Sequence, residues 1–107
     1  MKDCIAIDYD GTYTLDSTLW KSFVAAAHEK GFLVICATSR TVSNPVASDI
    51  DIPVVYCGKS WKHDATKAAG YNVLIWIDDS PGCIQPSRWI WLERIKSFFR
   101  SFWRPKK

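Results

Sequence analysis

The chain has 107 residues, 48% apolar and 23% charged, a globular composition that excludes disorder and a large multi-domain enzyme. Its net charge of +3 is unevenly placed: residues 1–87 hold seven basic and ten acidic side chains, and residues 88–107 hold seven basic and one acidic. Four cysteines without C-x-x-C spacing argue against a zinc ribbon or a thioredoxin-like redox pair; they read as small buried groups in a reducing cytosol, so the expected location is cytoplasmic.

Cys4 to Ile7 is a short apolar run, predicted to be a first strand ending at Asp8. It is too short for a signal peptide, and no stretch of about 18 apolar residues exists to span a membrane. Gly11, Thr12 and Thr14 break the strand. A helix then starts at Asp16 or Ser17, either of which can cap it. Leu19, Trp20, Phe23, Val24 and Ala27 recur at helical spacing, and Gly31 stops it. Phe32 to Ala37 predicts a second strand, leading into Thr38, Ser39 and Arg40. Residues 41–52 form a polar connection with one helical turn before Ile50. Pro53 to Cys57 predicts a third strand, with proline at its first position, where it is tolerated. Trp61 to Ala69 predicts a short helix closed by Gly70. Val73 to Ile77 predicts a fourth strand, followed by Asp78, Asp79 and a Ser80-Pro81-Gly82 turn.

The strands are continuous apolar runs alternating with helices, which suits a parallel sheet buried on both faces. The expected fold is an α/β three-layer sandwich of Rossmann-like type, with strand order 3-2-1-4 and right-handed crossovers. Three of the four strands finish in hydroxyl or carboxylate residues: Asp8, Thr38, and Asp78 with Asp79. Ligands of open parallel sheets bind at the carboxyl ends of the strands, so these residues are expected to converge on one rim. Asp8 and Asp10, two apart, point to the same side if the extended backbone persists. Two close carboxylates repel unless a cation or a shared proton relieves them, and Mg²⁺ is the common cation at a phosphate. Asp79, with Asp78 the alternative, would complete the metal site. Gly11 lets the chain turn after the acids, Thr38 supplies a hydroxyl, and a lysine supplies a fixed charge. Together these are the groups a phosphoryl transfer needs.

The same residues carry a resemblance. IAIDYDGTYT resembles the first motif of the haloacid dehalogenase (HAD) superfamily, LVICATSR its second, and IWIDDSP its fourth, in the family's order over residues 4–82. The resemblance implies a phosphatase. Asp8 would be the nucleophile that forms an aspartyl-phosphate, and Asp10 the acid and base. The Asp8 carboxylate, the Asp10 backbone carbonyl and Asp79 would hold Mg²⁺, with Asp78 supporting, and Thr38 would bind the phosphoryl group. Lys62 opens the helix before the fourth strand, the expected place for the third-motif lysine. Lys59, in a Gly58-Lys59-Ser60 turn, is its rival and a candidate substrate contact with Gly11 and Thr12. Arg40 reads as a surface residue, with a phosphate-side contact the alternative. Tyr13 flanks the substrate or packs on the first helix. His28, His63 and Lys67 read as solvent-facing.

Fewer than ten residues separate Asp10 from the first predicted helix, and about twenty separate Thr38 from Lys59, so neither gap holds a cap domain. An open site suits a nucleotide or a phosphate on a macromolecule end, unless another subunit supplies the lid. The competing function is a catalytically silent HAD-like binding module. The expected division is a catalytic core over 1–86 and a basic aromatic helix over 87–107. In that segment Trp91, Leu92, Ile95, Phe98, Phe99 and Phe102 recur at helical spacing, with Arg94, Lys96, Arg100 and Arg104 mostly opposite. Three readings compete for residues 88–104: packing on the sheet, contact with an anionic membrane surface, and contact with nucleic acid, a protein partner or a second copy.

Overall fold

The computed structural model describes residues 1–85; the division at residue 86 and the helix read over 87–104 lie outside them. The elements are β1 (Lys2–Ile7), α1 (Ser17–Glu29), β2 (Leu33–Thr38), β3 (Val54–Tyr56), α2 (Lys62–Ala68) and β4 (Tyr71–Ile77), with single 3-10 turns at Tyr13–Leu15 and Pro81–Cys83. The strands form one all-parallel sheet in the order β3-β2-β1-β4. The fold is α/β and compatible with a Rossmann-like architecture.

Alternation along the strands separates two clusters. Ile5 and Ile7 of β1 and Val34 and Cys36 of β2 point to one face, where Val24 and Ala27 of α1 cover them with Trp20 and Phe23. Cys4, Ala6, Ile35 and Ala37 point to the other, where Ala65 of α2 packs. Burying an Ile or Val side chain contributes roughly 1.5–3 kcal/mol, so the fully buried Ile7, Val34 and Ile35 anchor the sheet. The small residues on the α2 side let that short helix lie close. Asp16 caps α1, its carboxylate accepting from the Leu19 N–H at 3.1 Å. Gly31 ends the helix in the left-handed region at φ 87°, donating to the His28 carbonyl at 3.0 Å.

The connection from β2 to β3 packs Val46, Ile50 and Ile52 on the α1 side. It makes a turn at Ala47–Ile50 in place of the expected helical turn, because its few apolar residues reach the core without a helical period. Pro53 and Cys57 extend the β2–β3 ladder by one bond at each end: the Cys36 N–H donates to Pro53 and the Cys57 N–H to Thr38.

One expectation is corrected. Among the described residues β1 and β2 are buried on both faces, but β4 lies at the sheet edge, with Leu74 59% and Ile75 51% exposed. A β-bulge opposite the Cys4–Ile5 step leaves Leu74 without a register partner, which bends the strand at its exposed middle. Cys4, Cys36 and Cys57 are buried as expected; Cys83 is exposed.

Candidate metal and phosphate site

Parallel register brings the acids together. Ile7 pairs with Ile77 and with Cys36, so the next residues, Asp8 and Asp78, leave adjacent strands side by side. The Asp8 N–H still donates to the Ile77 carbonyl at 2.9 Å, holding Asp8 on the ladder as the strand ends. The chain then turns sharply. Tyr13 N–H returns to the Asp8 carbonyl at 3.2 Å and Thr14 N–H to Tyr9 at 3.1 Å. The turn buries Thr12, whose hydroxyl donates to Asp8 Oδ2 at 3.4 Å. Gly11 sits at φ 80°, and a Cβ there would run into the Asp79 carboxylate; glycine is required both by conformation and by space.

Lys62, at the start of α2, reaches across to this rim. Its Nζ donates to Asp8 Oδ1 at 2.7 Å and to Asp78 Oδ2 at 2.6 Å, with all three side chains at most 8% exposed. Of the two candidate lysines it is Lys62 that meets Asp8; Lys59 is exposed in the preceding turn, and Lys67 faces solvent. Burial pushes the Asp8 carboxyl up to about 6; Lys62 opposes this and Asp79 adds to it. Burial works against the Lys62 ammonium, but hydrogen bonds to Asp78 and Asp8 outweigh it and its pKa is raised.

Asp8, Asp78 and Asp79 each present an oxygen, and these atoms lie within 4.8 Å of one another. Three carboxylates around one ammonium leave a net negative charge, which disfavours full ionisation of Asp8. A hard divalent cation relieves that repulsion. The all-oxygen donor set suits Mg²⁺ or Ca²⁺ better than Zn²⁺. Asp78 is already engaged by Lys62, and its Oδ1 accepts from the Ser80 N–H at 2.8 Å, whereas Asp79 is exposed at the rim beside Gly11. This geometry suits Asp79 as the direct ligand with Asp78 behind it.

Two expectations change at Asp10. The extended backbone stops at Ile7, so Asp10 does not stand beside Asp8; its side chain is 57% exposed and turned to Arg40. Arg40, read from the sequence as a surface residue, grips Asp10 with two bonds, Nε to Oδ2 at 2.9 Å and Nη2 to Oδ1 at 2.8 Å. It also donates to the Pro45 carbonyl at 3.0 Å and lies over the Tyr9 ring at 4.9 Å. The guanidinium hydrogen bonds hold the Asp10 carboxyl below its ordinary range. The sequence signal was weak: an arginine two residues past Thr38, in the loop that follows β2. Thr38 itself is fully buried, and its hydroxyl accepts from the Arg40 N–H at 3.1 Å. Tyr13 is buried against Tyr9, ring centroids 6.0 Å apart, so it packs in the core. His28 and His63 are exposed, as expected.

No protein-family model, curated protein or solved structure matches this chain.

Proposed function

We propose that the chain is a capless, Mg²⁺-dependent phosphomonoester hydrolase of the HAD type, a three-layer domain acting through an aspartyl-phosphate. One observation carries this reading: buried Asp8 lies between the Lys62 ammonium and a cluster of carboxylates, at the carboxyl ends of parallel strands. Such a carboxylate has a fixed cation on one oxygen and the Asp78 and Asp79 carboxylates within 4.8 Å, the setting of an anionic nucleophile that must approach an anionic phosphate.

Asp8, Asp79 and the Asp10 carbonyl would hold the metal, which would neutralise phosphoryl charge when bound. An Asp8 oxygen attacks phosphorus, the P–O ester bond breaks, and the leaving oxygen takes a proton from Asp10, a step that requires the Asp10 carboxyl to leave Arg40 and be protonated first. Water, deprotonated by Asp10, then attacks the phosphorus of the acyl phosphate. Inorganic phosphate leaves, and the Asp8 carboxylate is restored. Lys62 holds Asp8 in place through both steps; Thr38, fully buried with its hydroxyl on the Arg40 N–H, positions the Arg40 loop from behind the rim. Neither the 11–16 turn nor the connection after β2 contains a domain over this rim, which favours a nucleotide or a macromolecular phosphate as substrate.

A second reading has its own observation. Arg40 clamps Asp10 in its ionised form, which suits a silent module that keeps the metal site and uses it, or the basic C-terminal segment, for binding. Turnover of a panel of nucleotides, sugar phosphates and phosphorylated ends, with and without Mg²⁺, separates the two. The hydrolase reading expects Mg²⁺-dependent release of phosphate that Asp8→Asn abolishes while the fold survives. Activity retained in Asp8→Asn would falsify the nucleophile assignment, and no turnover on any substrate favours the module.

A further inference from the structure

Arg40 is held from two sides. One edge of its guanidinium, Nε and Nη2, bonds the Asp10 carboxylate at 2.9 and 2.8 Å. The rest is anchored without Asp10: Nη1 donates to the Pro45 carbonyl at 3.0 Å, and the group lies over the Tyr9 ring. Those anchors are themselves fixed. The Tyr9 hydroxyl accepts from the Ala47 N–H at 3.1 Å, the Tyr56 hydroxyl accepts from the Val46 N–H at 3.3 Å, and the Gly58 N–H donates to the Arg40 carbonyl at 3.3 Å. The Nε–Nη2 edge therefore keeps its aim whether or not Asp10 is on it. Its two parallel N–H groups match a carboxylate or a phosphate equally well. The Asp10 turn and the Arg40 loop leave the paired strands β1 and β2 at the same rim as Asp8.

We propose that Arg40 is the phosphate-recognition residue of this rim: a phosphate of the substrate replaces the Asp10 carboxylate on the Nε–Nη2 edge, and the exchange frees Asp10 for the reaction. The proposal rests on the phosphatase reading and supplies an event that reading needs, since Asp10 cannot serve while two bonds hold it to Arg40. Exposure decides that this pair exchanges and the Lys62 pair does not. The Arg40 and Asp10 side chains are 28% and 57% exposed, so solvent screens their attraction and little is lost when it is broken. Lys62, Asp8 and Asp78 are almost wholly buried, and parting them would leave a charge unpaired out of water. Arg40 loses no bond in the exchange, because its Nη1 and Tyr9 contacts stay as they are, and a phosphate dianion brings more charge to the edge than a carboxylate does. The recognised group is a phosphate oxyanion from one of two sources: the ester phosphoryl that Asp8 attacks, or a second phosphate on the same substrate, as in a nucleoside diphosphate.

The test uses the full chain with excess Mg²⁺ and two non-hydrolysable probes, methylphosphonate and propylene diphosphonate, at constant ionic strength. NMR follows the Arg40 Nε–H signal and the carboxyl carbons of Asp8 and Asp10, and calorimetry gives the affinity. The proposal expects the Arg40 and Asp10 signals to move together and to saturate with the probe. Asp10→Asn removes the competing carboxylate and should tighten probe binding about three- to fivefold, the range an exposed ion pair supports. On the Arg40→Ala background the same substitution has no pair to release and should change binding less than about twofold. Equal affinity for the two probes assigns the ester phosphoryl to Arg40; a diphosphonate bound at least about tenfold tighter assigns a second phosphate, and either result supports the exchange. Arg40 and Asp10 signals that stay fixed while a probe saturates the Asp8 signal would overturn it. So would binding that Asp10→Asn leaves unchanged, or no binding of either probe. Turnover is scored separately. Hydrolysis with the clamp unbroken defeats the exchange alone, whereas a clamp that exchanges in a chain without turnover keeps the exchange and defeats the hydrolase reading.

Discussion

Replacing Lys62 by methionine tests the centre of the site. Methionine keeps the length and the apolar stem of the side chain but removes the ammonium that bonds Asp8 at 2.7 Å and Asp78 at 2.6 Å. With all three side chains at most 8% exposed, solvent screens little of this interaction. Removing one partner of a buried ion pair costs about 3–5 kcal/mol, because the other charge is left buried and unpaired. For a domain of this size that lowers the unfolding midpoint by at least about 12 °C. The loss should be partly reversible by either of two additions. Without the ammonium, which lowers the Asp8 pKa in the parent, the Asp8 carboxyl rises above the parent's value of about 6, so protons neutralise it more readily and the deficit shrinks as pH falls. Mg²⁺ can take the place of the ammonium charge; at one hundred times its dissociation constant it returns about 2.7 kcal/mol. Thermal unfolding followed by circular dichroism, at pH 5 and 7.5 and with and without 10 mM-scale Mg²⁺, reads all three effects. If Lys62→Met unfolds within about 3 °C of the parent under every condition, the buried triad is not the centre of the site and the reasoning fails.

Asp8 also sets a pH dependence in the metal-free protein. Its folded pKa, about 6, lies above the unfolded value of 3.8, so the folded state binds the extra proton and stability falls as pH rises from about 4 to about 6. The drop is on the order of 3 kcal/mol; urea unfolding at pH 4, 5 and 6.5 should show it in the parent and not in Asp8→Asn, and saturating Mg²⁺ should remove it. Asp10 acts with the opposite sign. Arg40 lowers its pKa, so its contribution is present above 3.8 and is lost only as pH falls below that. Arg40→Ala should move the Asp10 carboxyl titration upward in a carbon-detected NMR experiment; an unmoved titration would contradict the two-bond clamp. Gly11→Ala should weaken Mg²⁺ binding at least about tenfold by calorimetry, since its Cβ displaces the Asp79 carboxylate and its φ of 80° strains any L side chain. Unchanged affinity would remove Asp79 from the metal site.

Local pattern in the sequence was enough for the strands, for α1 with its Asp16 cap and Gly31 stop, and for the strand-end polar residues. Each depends on near neighbours: apolar runs, a 3.6-residue period, a capping oxygen three residues from its amide. The strand order follows from the same pattern through crossover rules, which apply to any alternating chain. Choosing Lys62 over Lys59 required the tertiary structure, because Asp8 lies 54 residues away and only the path of α2 over the sheet decides which ammonium reaches it. The Arg40–Asp10 clamp, 30 residues apart, is of the same kind. So is the exposure of β4: an apolar strand reads alike at the centre of a sheet and at its edge, because sequence records what a residue prefers to contact and the packed fold decides what is there to be touched.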